Sequence, residues 1–370
     1  MSKKGMSRRS FLGTAAAGAL AFSAVPTIIT PRRVEAYQPG GRIHPNVNPL
    51  RVVGVRDPSM IAEDAVPPAW EDQEKLVAEQ VVGDNIDRMA MALAEEEDVS
   101  RAWNKILVKP AGKEWSEAVV AVKTNQIAQQ RTRSAVMAKV CRVLTGVLGV
   151  KGENVHIYDA RHGGSMPGNP FKGLPEGVAM EKTWGGFNIR TDVPQPYFDG
   201  GREAECLDYL VRDEVDVLIN IALCKGHGGQ FGGFTMCMKN HFGTFDPGPS
   251  HREGGGADYL IGINKAPEIL GRMDARTGDV MYPRQQLCLV DALWGSRPGP
   301  GGPPTHKLDT MLMGVFGPAV DYVGSMRFRK DTMGWPVNEG VAARMLQEFG
   351  YSEADLPNEG KIIDALKVTA

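Results

Sequence analysis

The run VDVLINIAL at residues 215–223 restricts the fold of this chain more than any other segment. A strand with one wet face alternates apolar and polar residues, whereas a strand covered on both faces reads as a nearly continuous apolar run, as in parallel α/β sheets. Further candidate elements alternate around it. The β-branched run RVVGV at 51–55 reads as a strand and residues 70–97 as an amphipathic helix. A short strand at 106–108 ends at Lys109-Pro110, and residues 125–147 give a second helix of about six turns. VHIYDA at 155–160 is a strand, and 204–212 a helix feeding the buried run. Helices at 234–240, 257–273, 319–329 and 337–349, with strands at 287–290 and 311–315, complete the pattern. The expected class is α/β: a mixed or mostly parallel sheet, helices on both faces, and Gly/Pro-rich excursions, the largest at 161–201.

The N-terminus carries an address. SRRSFL at 7–12 places Arg8-Arg9 before Phe11 and Leu12, and an Ala-rich apolar stretch follows, with Pro26 and Pro31 within or after it. This matches a twin-arginine leader, and Val34-Glu35-Ala36 offers a small-residue cleavage site. The expectation is a leader over 1–36, a linker over 37–50, and one α/β domain over 51–370 with room for two lobes. Export is by the twin-arginine translocase to the periplasm, with no membrane span once the leader is removed. The alternative is an uncleaved leader that anchors the protein to the inner membrane's outer face. Because this route moves folded proteins, a metal or nucleotide-type cofactor inserted before export is consistent with it. A formal charge of −2, from 42 basic and 44 acidic residues, gives no field that would draw nucleic acid. Five scattered cysteines with no C-x-x-C pair argue against a cysteine-ligated iron–sulfur cluster.

Chemistry concentrates after the buried run. CKGHGGQFGGFTMCMKNHFG at 224–243 puts Lys225, His227, Lys239 and Asn240 in or beside a glycine-rich turn at a strand exit, where α/β proteins bind ligands. Glycines let the backbone approach an anion, and a helix starting near Phe234 would turn its N-terminus toward it. His227 is the candidate general acid or base, with Lys225 and Lys239 stabilising negative charge. Lys109, Asp159 and Asp291 end other candidate strands and could face the same cleft; the aspartates read equally well as helix caps. His227, His241 and His251 lack the spacing of a zinc site. Cys224 or Cys237 beside His227 offers a thiol nucleophile, against the commoner fate of burial. No G-x-S-x-G elbow exists, and Ser165 follows no strand.

ILVKP at 106–110, VDVLINIALCKGH at 215–227, MKNHFG at 238–243, LVDAL at 289–293 and GPAVDYVGS at 317–325 together resemble the domain of unknown function 362 family. The resemblance spans roughly residues 52–350 and implies an α/β fold with an active site. It places Lys109, Lys225, His227, Lys239, Asn240, Gly243, Asp291 and Asp321 on the family's motif positions. Ala111 replaces the usual Asn after the Pro, and Cys224 and Gly226 replace the commoner neighbours of Lys225. A fainter similarity to the lactate racemase family would make His227 a catalytic histidine and Lys239 the lysine linked to a nickel-pincer nucleotide. The ligand class expected is a small anionic molecule, handled by an enzyme or by a non-catalytic carrier.

Overall fold

In the computed structural model, residues 41–159, 170–180, 187–197, 201–252, 255–274 and 276–357 are described. The leader, the first residues of the linker and Ser165 lie outside these. A seven-stranded sheet forms the centre: β1 (Val53–Arg56), β2 (Val120–Lys123), β3 (Val155–Tyr158), β4 (Ala179–Met180), β5 (Val217–Leu223), β6 (Gln285–Gly295) and β7 (His306–Gly314). Their order across the sheet is β1-β7-β6-β5-β2-β3-β4. Strands β4, β3, β2, β5 and β6 run parallel, and β7 pairs antiparallel with both β6 and β1.

The two-sided burial expected of 215–223 is realised residue by residue. Val217, Ile219 and Ile221 enter one apolar core and Leu218 and Ala222 the other. The first core receives α1 (Glu79–Ala94), α2 (Val99–Ile106) and α3 (Ser134–Arg142) through Ile86, Met89, Trp103, Met137 and Val140. The second receives α4 (Gly256–Lys265), α5 (Gly317–Val323) and α6 (Glu339–Gln347) through Leu260, Ile263, Val320, Met345 and Leu346. Since each side of the sheet removes large apolar side chains from water at roughly 1.5–3 kcal/mol apiece, neither layer is dispensable. Among the described residues no helix is long and apolar enough to cross a membrane.

Several expectations need correction. Residues 106–108 are not a strand: Ile106 closes α2, and Val108 is tied to Gln286 at the amino end of β6 through its N–H at 2.7 Å. Residues 70–97 form two helices, Trp70–Leu76 and Glu79–Ala94, because the chain is extended at Val77 and Ala78 where Ala78 bonds back to Met60. Helix 125–147 starts only at Ser134, since 124–133 is a polar loop folded over the sheet edge. Residues 202–207 are a strand, Arg202–Leu207, paired with Phe187–Val193. The helix expected over 257–273 breaks at Ala266-Pro267, and Gly271–Met273 is extended. The helix expected over 234–240 shrinks to the single turn Cys237–Asn240, behind a short strand Phe234–Thr235. The arm is packed where it is described: Ile43, Val47 and Leu50 are buried, and the His44 imidazole bonds the Ile106 carbonyl at 2.9 Å.

Candidate functional site

After β2 the chain crosses outward to β3 and β4, then returns to place β5 on the other side of β2. The junction of β2 and β5 is therefore a topological switch point, where the connections leave a crevice beyond the carboxyl ends of the strands. The first residues past that edge are chemically loaded. Lys123 is the last residue of β2, Asp159 follows β3, and Lys225 lies two residues beyond β5. A cleft of about 230 Å³ opens there, lined by Lys123, Asp159, Lys225, His227, Lys239 and Asn240 among others.

Each lysine is held differently. The Lys123 ammonium is buried and donates to Asp159 Oδ1 at 2.6 Å, to the Thr124 carbonyl at 2.5 Å and to Asn240 Oδ1 at 3.4 Å. Burial lowers its pKa and the Asp159 carboxylate pulls it back up. Lys225 is fully buried and donates to Asn125 Oδ1 and the Gln130 carbonyl, both at 2.8 Å. Desolvation, with further help from the Lys123 and Lys239 charges, brings it down to about 7. Lys239 is partly buried, with its ammonium 4.7 Å from the Phe231 ring centre and 4.1 Å from that of Phe242. Burial lowers it too, to about 7. Asn240 ties the cleft floor to the sheet by donating to Asn220 Oδ1 at 2.9 Å and the Ile221 carbonyl at 3.1 Å.

The glycine-rich turn is a small hairpin: Lys225–Gly226 pairs with Phe234–Thr235. Gly226 is required there, because a Cβ would sit 2.1 Å from the Arg297 carbonyl oxygen. Gly232 turns the chain at φ +91, a conformation L side chains rarely adopt. His227 accepts from the Gly228 N–H through Nδ1 at 2.8 Å, which leaves Nε2 as the protonated nitrogen of the neutral ring. Burial, then the Lys239 charge, lowers its pKa to about 3. His227 is therefore a neutral hydrogen-bond donor here and a poor general base. His251 differs: its Nδ1 donates to the Pro247 carbonyl at 3.0 Å, so in the neutral ring the lone pair falls on Nε2, and the residue lines the same cleft.

The structure brings together Lys225, His227, Lys239, Asn240, Gly243 and Asp159, and leaves out three expected residues. Lys109 pairs with Glu114 at 3.0 Å on the surface, beside the amino end of β6 and so at the opposite edge of the sheet. Asp291 is buried and accepts the Arg133 N–H at 2.8 Å, which caps the start of α3. Asp321 accepts the Cys237 and Met238 N–H groups at 2.7 and 3.0 Å. That helix start is thus already satisfied by a carboxylate and does not face a ligand. The cysteine alternative fails on burial, which raises both Cys224 and Cys237 thiols above their ordinary pKa. All five cysteines are free thiols in the interior. Lys123 and Asn125 went unrecognised, since AVVAVKTN at 118–125 has the β-branched pattern of a strand ending in Lys and Asn but no glycine beyond it. His251 stands out in the sequence only as one of three histidines whose spacing does not suit zinc.

A mostly parallel sheet with helices on both faces and a polar cleft at its switch point defines an α/β protein. More narrowly, the chain belongs to the family of the domain of unknown function (DUF362), whose model matches residues 120–326. The matched span begins with β2 and contains every cleft residue named above, whereas Lys109 lies outside it. No curated protein and no solved structure matches the chain.

Proposed function

We propose that this protein is an exported enzyme that binds a small organic anion in the cleft above β2 and β5. One observation supports the reading above others: Lys123, Lys225 and Lys239 line the cleft, and Asp159 is its only carboxylate among the described residues. A bound carboxylate or dicarboxylate would offset the excess positive charge, and hydrogen bonds to charged groups contribute about 1.5–3 kcal/mol each. The cleft volume of about 230 Å³ suits a metabolite-sized anion better than a drug-sized one, for which ~300–1,000 Å³ is usual. A larger groove shares His227 and includes Arg297, His306 and Asn338, giving room for the remainder of a longer substrate. In this reading Lys225 holds the anion through its remaining N–H, and Lys123, paired with Asp159, fixes the cleft floor. Lys239 and the Nε2 of His251 exchange protons with it, while neutral His227 donates a hydrogen bond to a developing oxyanion.

The shared cleft of His227 and Lys239 is what favours the similarity to the lactate racemase family. Among the described residues, however, no three His, Cys, Asp or Glu side chains converge as metal donors, so no step is routed through a metal. The Arg8-Arg9 motif supports twin-arginine export to the periplasm, with cleavage after Ala36 or retention by the uncleaved leader.

The test uses protein exported from its own cytoplasm. Native mass spectrometry and elemental analysis look for cargo, and calorimetry measures lactate, oxalate and phosphate. Binding with turnover supports the enzyme reading, and Lys225→Met should weaken affinity about 10- to 100-fold. Binding without turnover of any panel member points to a carrier, and no binding of any anion ends the proposal. Replacing Arg8 and Arg9 by lysine should leave the protein in the cytoplasm; export of that variant would remove the leader assignment.

A further inference from the structure

We infer that Lys239 is a nucleophile: the cleft takes a carboxylate bearing an adjacent aldehyde or ketone and joins its carbonyl carbon to the Lys239 amine as an imine. The inference deepens the anion-site reading and rests on it. It follows from how the three lysines are held. Lys123 is committed to Asp159, the Thr124 carbonyl and Asn240, and Lys225 to Asn125 and the Gln130 carbonyl. Lys123 therefore has all three N–H donors engaged, whereas Lys225 keeps one N–H to donate to an anion. Lys239 alone of the three has no hydrogen-bond acceptor and no carboxylate among the described residues; its nitrogen lies against the faces of Phe231 and Phe242.

A ring face supports an ammonium ion but does not occupy the lone pair once the proton has gone. The titratable groups that line the cleft with Lys239 are Lys123, Lys225, Asp159, His227 and His251. The Lys239 charge itself depresses Lys225 and His227, so its loss relieves both. Burial brings Lys239 down to about 7 while the ring faces act in the other direction, which leaves a neutral fraction at mildly alkaline pH.

The step balances without an oxidant. The neutral amine attacks the carbonyl carbon, the π pair moves to oxygen, and that oxygen takes a proton. The resulting carbinolamine expels water, with the proton relayed through Nε2 of His251, to give imine and water. Lys225 holds the substrate carboxylate during the attack.

The experiment incubates the full chain with pyruvate and, separately, glyoxylate in the presence of cyanoborohydride, then reads intact mass and maps the modified peptide. The expected result is one added group, equal to the keto acid less one oxygen, located on Lys239. Oxalate, which fills the anion site but has no ketone, should protect it. At saturating keto acid, trapping should accelerate as pH rises from 6 to 8. Lys239→Arg should bind oxalate within a few fold of the parent and trap nothing; if that variant does not fold, the peptide map of the parent decides. Modification on Lys225, even labelling across surface lysines, or no trapping while oxalate still binds would each overturn the inference. Failure of oxalate, pyruvate and glyoxylate alike to bind would remove the anion-site reading beneath it.

Discussion

Asp159→Asn removes the one carboxylate that faces the buried Lys123 ammonium at 2.6 Å while keeping the shape of the side chain. Both groups are nearly inaccessible, at 1% and 6% side-chain exposure, so solvent screens the pair little. With an effective dielectric of about 20, Coulomb attraction at that separation is about 6 kcal/mol. Part of this is offset by the desolvation of the two ions, and loss of one partner from such a pair costs about 3–5 kcal/mol. A second limit comes from the lysine itself, which can escape by losing its proton. From an unfolded pKa of ~10.4 that costs about 4.6 kcal/mol at pH 7. The expected loss of unfolding free energy at pH 7 is therefore about 3–4.5 kcal/mol. The sign of the pH dependence is fixed by the direction of the shift. A lysine whose folded pKa is lowered binds fewer protons folded than unfolded, so its penalty is largest at low pH and fades as pH rises toward the unfolded value. Urea denaturation of both proteins at pH 6, 7.5 and 9 should show the difference narrowing with pH. A loss below about 1 kcal/mol, or a loss unchanged across that range, would mean that Lys123 is not a buried, charged group dependent on Asp159.

The affinity for lactate or oxalate should fall at least tenfold between pH 6 and pH 8.5, because Lys225 and Lys239, both lowered to about 7, give up their charges in that interval; calorimetry giving a flat profile would contradict the cationic site. Asp321→Ala should cost about 2–4 kcal/mol in urea denaturation, since it strips the acceptor from two buried N–H groups at the start of Cys237–Asn240, and should weaken anion binding through the displaced Lys239. Lys109→Ala should change stability by less than about 1 kcal/mol and leave anion affinity unaltered, because its ion pair with Glu114 is exposed and lies at the far edge of the sheet; a clear loss of affinity in the same titration would restore it to the cleft.

Read alone, the sequence determined the kind of protein. A nearly continuous apolar run is best satisfied by cover on both faces, and 215–223 is such a run; its exit, with Lys225, His227, Lys239 and Asn240, was legible because these residues are close in the chain. Tertiary structure decided which distant residues join them. Lys123 and Asp159 reach the cleft because β2 and β3 run parallel beside β5, a matter of strand order that no local pattern encodes. Lys109 and Asp321 stand beside Lys225 and Lys239 as motif residues, yet one was carried to the opposite edge and the other became a helix cap. The tautomer of His227 was likewise set by a single contact, from the Gly228 N–H. Residue type and spacing report local preference and burial; charge, protonation and reach depend on what lies across the cleft, and only the folded chain sets that.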